Sequence, residues 1–281
     1  MLKDKNIYLI PCLGFLSVIL VGWIVLMLPI CNNGEITPFD ALFTAVSATC
    51  VNGLTTVNLS CDYNFLGQVT IAIITEIGAI GFVTFISFIL NFKRKKMSLS
   101  ETLLLGSALN DNHYGKLRQK LKEVIKYTIV IQIIGAILLA IDFIPRFGMK
   151  NGIWYSIFHS ITAFCNAGFD ILGDNSLTQF SKNIYINIVF IILMFLGSIG
   201  YFVIEDIMRC IKKKSFLHIS FHTKIVLTSS LIIYLISIIL IKIAQPNLTL
   251  LEAVFTSVTA RTTGFSTIDM AGTLPITKLI I

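Results

Sequence analysis

Residues 162–170 read TAFCNAGFD, a short polar, glycine-containing run inside an otherwise oily chain. The preceding stretch, 151–161 (NGIWYSIFHSI), is only about three helical turns long, and a new apolar stretch begins near Ile184. A chain that crossed the membrane simply would not stop there, expose backbone in a loop and turn back.

The surrounding composition makes lipid the solvent. Of 281 residues, 55% are apolar and 13% charged, against about 25% charged in soluble domains. Stretches long enough for a hydrocarbon core, roughly 17–25 residues, fall at 7–30, 65–92, 124–144, 184–204 and 225–244. A sixth starts near 273. The first is not a secretory leader, because it is too long for an h-region and ends at Leu28-Pro29-Ile30 without a small-residue cleavage site.

The net charge of +7 is a topology signal. Sixteen of the 22 Lys and Arg lie in three stretches: Lys3 and Lys5, nine from Lys93 to Lys126, and five from Arg209 to Lys224. The segments 31–40 and 58–64 contain none. The positive-inside rule then places the N-terminus and the basic segments in the cytoplasm, facing anionic lipid and not nucleic acid.

The six cysteines (12, 31, 50, 61, 165 and 210) form no CxxC pair and no metal-ligand spacing. Cys31 and Cys61 share the outer side, so a disulfide and two free thiols both stay open. Cys12 and Cys210 read as small apolar fillers. His218 and His222 have a chelating spacing, but the lysines around them favour a cytoplasmic interfacial stretch. His113 carries no signal.

The opening stretch has two relatives in the same chain, FTAVSATCVNGL at 43–54 and FTSVTARTTGF at 255–265. Aligned on Gly53, Gly168 and Gly264, Phe43 and Phe158 stand ten residues before their glycines and Phe255 nine, so the third loop is one residue shorter. Each loop follows a short amphipathic segment with a start signal. Thr37-Pro38-Phe39-Asp40 offers an N-cap and a proline at the first helical position; Thr249 to Glu252 has the form of a capping box; Asn151 is the expected cap of the middle segment. IGAIGF (77–82) and LGSIGY (196–201) also match, with small residues spaced for close helix approach. The fold class is therefore an all-α polytopic membrane protein built from span, half-helix, filter loop, span, arranged around a pore axis. Residues 1–92 form the first repeat, 93–123 a cytoplasmic basic linker, 124–210 the second repeat, 211–224 a second linker and 225–281 a third.

Non-helical backbone at membrane depth survives only where protein or a wet cavity satisfies it. Convergent carbonyls can replace the hydration shell of a cation, glycine reaches the angles such a loop needs, and helix C-termini add partial negative charge. The loops hold little acid, so backbone oxygens and not a carboxylate ring would select the ion. Asp170, just beyond Gly168, would keep the outer mouth negative.

TCVNGL, AFCNAGFD and TARTTGF resemble the filter loops of the Trk/Ktr potassium-uptake transporters, and IGAIGFVTF (77–85), LGSIGYFVIEDI (196–207) and HTKIVLTSSLI (222–232) resemble the segments between them. The resemblance runs from about residue 7 and is greatest to the Ktr-type membrane subunit. It implies four repeats around one axis, a homodimer with a pore in each subunit, and a cytosolic nucleotide-binding regulatory subunit. It further implies potassium as the transported ion, sodium as a possible coupling ion, and no other cofactor. Carried over, Gly53, Gly168 and Gly264 are filter glycines, and Cys50, Val51, Asn52, Cys165, Asn166, Ala167, Thr262 and Thr263 are neighbours whose carbonyls line the path. Glycine at the first filter goes in this family with preference for potassium over sodium.

This sequence departs from the family's pattern in places. It stops at Ile281, so the fourth repeat is expected to be absent, and residues 1–281 alone are expected to insert without carrying potassium. Cys50 and Cys165 replace other small or polar residues. Glu76 stands where glutamine is common, which leaves open a buried, paired or protonated acid and one facing a wet vestibule. Arg261 matches the family and reads as a cation tying loop to helix. A membrane enzyme finds no paired acids beside a nucleophile and no HExxH; a non-conducting fragment or scaffold of the same fold is the alternative.

Overall fold

Short helices need defined ends, and two start signals in this chain supply them. The computed structural model describes residues 5–34, 36–81, 117–173, 176–212, 219–269 and 272–280. In chain order its helices are α1 (Lys5–Met27), α2 (Pro38–Thr49), α3 (Phe65–Ile80), α4 (Leu117–Phe164), α5 (Ile184–Ser198), α6 (Tyr201–Lys212), α7 (Phe221–Ala244), α8 (Leu250–Thr262) and α9 (Pro275–Ile280). One turn of 3-10 helix, Thr178–Phe180, precedes α5. No strand occurs among the described residues, which hold only an isolated bridge between Asn32 and Tyr63. The second part of the 65–92 stretch, residues 93–116 of the basic linker with His113, and Lys213, Lys214 and His218 lie outside the described residues.

Thr37 caps α2: its hydroxyl accepts the Asp40 N–H, and the Asp40 carboxylate accepts the Thr37 N–H in return. Thr249 and Glu252 repeat this reciprocal pair at α8. Each box satisfies donors that a helix start leaves orphaned. The middle half-helix starts differently. Asn151 lies inside α4 and is not its cap, because the backbone leaves helical angles three residues earlier, at Gly148 (φ 79°, ψ 167°). Pro145, which cannot donate to the helical ladder, stands just before that break.

Two helices among the described residues are long and apolar enough to cross a membrane, α4 and α7. The apolar part of α1 (Cys12–Met27) and all of α3 are shorter. The expected uninterrupted span 184–204 is corrected: α5 and α6 meet at 104° across Ile199 and Gly200. Gly200 has φ 83°, an angle open to glycine and costly to other residues. Outward-facing isoleucines and leucines line the long helices, among them Ile133, Ile137 and Ile141 on α4 and Leu235, Ile239 and Ile243 on α7. Apolar faces of this extent suit hydrocarbon and not water. The chain is an all-α membrane protein.

The chain divides into two compact units, Met1–Ile133 and Ile134–Ile281, with the boundary inside α4. In the first, α1 and α3 pack on the half-helix α2, with Ala41, Ala45 and Ala48 fully buried. The Trp23 indole donates to the Pro38 carbonyl at 2.8 Å, fixing α1 at the start of α2. Glu76, half-buried on α3, accepts a 2.7 Å hydrogen bond from the Gln132 amide. The core of the second unit is aromatic: Phe143, Phe158, Phe180, Phe190, Phe255 and Phe265 are all buried to within 1% of their surface. They enclose His159 and press the second half-helix against α5 and α8.

Candidate ion filter

The half-helices of the first two repeats end in the same turn. After α2, Val51 N–H donates to the Ala48 carbonyl and Asn52 N–H to the Ser47 carbonyl. After α4, Asn166 N–H donates to Ala163 and Ala167 N–H to Thr162, at matching positions. This is the Schellman closure, which places one left-handed residue just past the helix. That residue is Val51 (φ 56°) in one loop and Asn166 (φ 58°) in the other. Asparagine tolerates the conformation, whereas a β-branched valine there is strained.

Two residues later comes a second left-handed position, Gly53 (φ 74°) and Gly168 (φ 74°). Asn52 and Ala167, between them, are not among the residues with positive φ. An extended strand sends successive carbonyls to opposite sides. Alternating the sign of φ turns them toward one side, the requirement for a row of oxygens facing an ion.

The third loop is shorter and closes differently. Thr263 N–H and Gly264 N–H both donate to the Thr259 carbonyl, Thr263 has φ −110°, and only Gly264 (φ 88°) is left-handed. The Thr259 hydroxyl donates to the Phe265 carbonyl at 2.8 Å and holds the exit of this loop on α8.

What seats the loops is the G-x-x-G pair of the following helix. A Cβ on Gly78 would lie 2.2 Å from the Thr49 carbonyl oxygen, and one on Gly197 would lie 1.8 Å from that of Phe164. Thr49 and Phe164 are the last residues of their half-helices. The second glycines, Gly81 (φ 86°) and Gly200 (φ 83°), then end the helix. The spacing reads in sequence as helix packing; the first glycine of each pair packs on a half-helix end, and the second, in left-handed backbone, ends the helix.

Loops two and three meet within the second unit. A Cβ on Gly168 would lie 1.9 Å from the Thr263 carbonyl oxygen. The Asn166 side-chain oxygen accepts hydrogen bonds from the Thr262 and Thr263 hydroxyls, each at 2.9 Å, while its nitrogen donates to the Phe164 carbonyl at 3.2 Å. Cys50, Val51, Asn52 and Gly53 lie in the first unit, Cys165 to Gly168 and Thr262 to Gly264 in the second.

Arg261 fills the role of a tie. Its guanidinium donates to the Ser230 hydroxyl at 3.0 Å and to the Tyr234 hydroxyl at 3.2 Å, and lies over the Tyr234 ring. Asp170 does not stand free at a mouth: its carboxylate is 11% exposed, accepts the Leu172 N–H at 2.7 Å and lies 4.0 Å from His159.

His159 is the residue that sequence reasoning missed. Fully buried, it donates from Nδ1 to the Tyr155 carbonyl at 2.7 Å and accepts at Nε2 the Ile171 N–H at 3.4 Å. That pattern links the half-helix to the outgoing limb of loop two. A lone histidine on an apolar helix gives no sign of this, since its partner is twelve residues away.

Among the described residues no group of His, Cys, Asp or Glu could hold a metal ion. Cys31 and Cys61 are free thiols. Between α6 and α7, buried Asp206 accepts the Ser220 N–H at 2.8 Å and pairs with Arg209. Burial alone would raise its pKa, but hydrogen bonds from Ser220, Thr223 and Arg209 outweigh it and hold the carboxyl well below the usual carboxylate range.

Comparison with known proteins matches residues 16–281 to the family model described as TrkH, cation transport protein. The potassium/sodium uptake protein NtpJ of Enterococcus hirae is 40% identical over 268 residues, 91% of this chain and 58% of that protein. The Ktr system potassium uptake proteins B of Bacillus subtilis and Vibrio alginolyticus are 34% and 33% identical, over 96% and 92% of this chain and 63% and 59% of theirs. The chain spans about three fifths of the length of these curated relatives.

Proposed function

Because the chain belongs to the TrkH cation transport family, we propose that it serves potassium uptake across the cell membrane, through a filter of backbone carbonyls on its glycine loops. The ion path is lined by Cys50, Val51, Asn52 and Gly53, by Cys165, Asn166, Ala167 and Gly168, and by Thr262, Thr263 and Gly264. The observation that carries this reading is the twofold recurrence of one loop geometry. In both of the first two repeats a Schellman turn, a left-handed residue and a left-handed glycine stand in the same order. Backbone built that way at membrane depth needs an occupant for its oxygens, and a dehydrated cation is one.

The half-helix C-termini add about half a negative charge each near the loops. With no carboxylate ring, selection rests on how many carbonyls reach the ion. NtpJ is named for potassium and sodium together, so sodium enters this reading as competitor or coupling ion. The protein sits multi-pass in the cell membrane with its N-terminus and basic segments in the cytoplasm. Relatives named as parts of a Ktr system fit a membrane subunit that works with separate subunits, which this reading takes to be a second copy of the chain and a cytosolic nucleotide-binding regulatory subunit.

The test is ion competition. Rubidium uptake by cells carrying the full-length protein, fourth repeat included, is measured against rising potassium or sodium, for the native sequence and for Gly53→Ser. A serine at a left-handed position strains the loop and moves its carbonyl, so the preference for potassium should narrow while membrane insertion is kept. Unchanged preference at normal expression would remove Gly53 from the filter.

A further inference from the structure

The three loops are not held in the same way. Loops one and two each have a left-handed residue past the helix that fixes their course, at Val51 and Asn166. Loop three has none: Thr263 keeps negative φ, and the loop is one residue shorter. Its hold on its own half-helix runs through Thr259, which takes the Thr263 and Gly264 N–H groups and donates to the Phe265 carbonyl; a second hold comes from outside the loop. Both of its hydroxyls, on Thr262 and Thr263, donate to one acceptor, the side-chain oxygen of Asn166. The nitrogen of the same amide is held by the Phe164 carbonyl, at the end of the second half-helix. Asn166 thus makes contact on both sides of its amide plane, with its own helix end and with the opposite loop. Valine, at the equivalent position in loop one, offers neither contact.

We infer that Asn166 is a positioning residue of the filter, whose side-chain amide sets how far loop three stands from loop two and thereby the preference between potassium and sodium. The inference rests on the filter reading above. It separates the two contributions of one residue: its carbonyl to the ion path, and its amide to the neighbouring loop. The close approach of Gly168 to the Thr263 carbonyl shows how little slack the seam has. Losing the amide frees the two threonine hydroxyls to rotate and lets loop three move outward. Oxygens no longer held at a fixed spacing can adjust to the smaller ion as well as to the larger, so discrimination between them falls.

Binding is read from thermal stability of the purified protein, since an ion that binds only the folded state raises its melting temperature with concentration. The half-maximal concentrations of potassium and of sodium give the preference. Asn166→Gly keeps the left-handed backbone and removes the amide; Thr263→Val keeps shape and removes one donor. Thr263→Val should lower the preference roughly tenfold, the scale of one lost hydrogen bond, and Asn166→Gly by at least as much, since it removes the acceptor of both hydroxyls. The double variant should be no worse than Asn166→Gly alone, because removing the acceptor already breaks the link that Thr263 makes. Unchanged preference in folded Asn166→Gly, or additive losses in the double variant, would overturn the inference and leave the filter reading standing. If Asn166→Gly does not fold, Thr262→Val with Thr263→Val carries the same expectation from the other side of the contact. Native protein that neither ion stabilises would overturn the filter reading, and this inference with it.

Discussion

Gly197 stands against the carbonyl of Phe164 so closely that a Cβ on it would lie 1.8 Å from the oxygen. Gly78 stands in the same relation to Thr49, at 2.2 Å. The two contacts join the end of a half-helix to the helix that leaves its loop, once in each of the first two repeats. A methyl group at either glycine must push backbone against backbone, which does not yield as a side chain does. Overpacking of a well-filled interior costs about 1–3 kcal/mol. Gly78→Ala and Gly197→Ala should each lower the melting temperature of the detergent-solubilised protein and its yield of monodisperse material. Native-like melting in either would mean that the helix can back away from the half-helix, and that the seating of the loop is looser than described.

Val51 presents the opposite case, a position where the native residue is the strained one. Its φ of 56° is disfavoured for a β-branched side chain, whereas Asn166 meets the same geometry with a residue that accepts it. Val51→Asn should therefore stabilise the first loop by about 1 kcal/mol, seen as a higher melting temperature. A lower one would show that packing of the valine side chain outweighs the backbone cost.

His159 makes a prediction at single-amide resolution. His159→Phe keeps an aromatic ring among Phe143, Phe158, Phe190 and Phe265 but removes the acceptor of the Ile171 N–H. An unsatisfied buried donor costs about 1–3 kcal/mol, and local opening becomes that much easier. Hydrogen exchange in the peptide covering Ile171 should speed up, with exchange in α7 unchanged. Equal rates in variant and native protein would deny His159 its hold on the outgoing limb.

Much of this was legible in the sequence, because the signals are local. Thr37 with Asp40 and Thr249 with Glu252 are reciprocal caps that need only three residues of chain. The recurrence of Gly53, Gly168 and Gly264 needs only alignment of the chain with itself. Asn151 misled because a polar residue at the head of an apolar run looks like a cap; the break belongs to Gly148, where a left-handed angle follows Pro145. The bend at Gly200 was hidden inside a run apolar enough to pass for one span. The Asn166 amide was illegible for a different reason. Its partners lie 96 and 97 residues away, and nothing in the local sequence separates a side chain that binds a loop from one that lines a path.

Asp206 ties the stability of the α6–α7 junction to pH. Its carboxyl is held below the usual range by Ser220, Thr223 and Arg209 despite its burial. A lowered folded-state pKa contributes stability that is fully present above the unfolded value, about 3.9, and is lost as pH falls through the folded one. Asp206→Asn should therefore melt lower than the native protein at pH 5–8, by the equivalent of about 1–3 kcal/mol for charge-assisted hydrogen bonds. Below about pH 4 the difference should shrink. A difference that stays constant into acid would mean that the carboxylate charge is not what holds the junction.

The central claim is that backbone oxygens of the glycine loops hold the transported ion. Its most direct measurement is anomalous diffraction from crystals of the protein grown with rubidium or thallium in place of potassium. Density is expected beside the carbonyls of residues 50–53, 165–168 and 262–264, with no carboxylate in its coordination shell and with the density lost in Gly168→Ala. Density centred on Glu76, Asp170 or another carboxylate, with none along the loops, would contradict it.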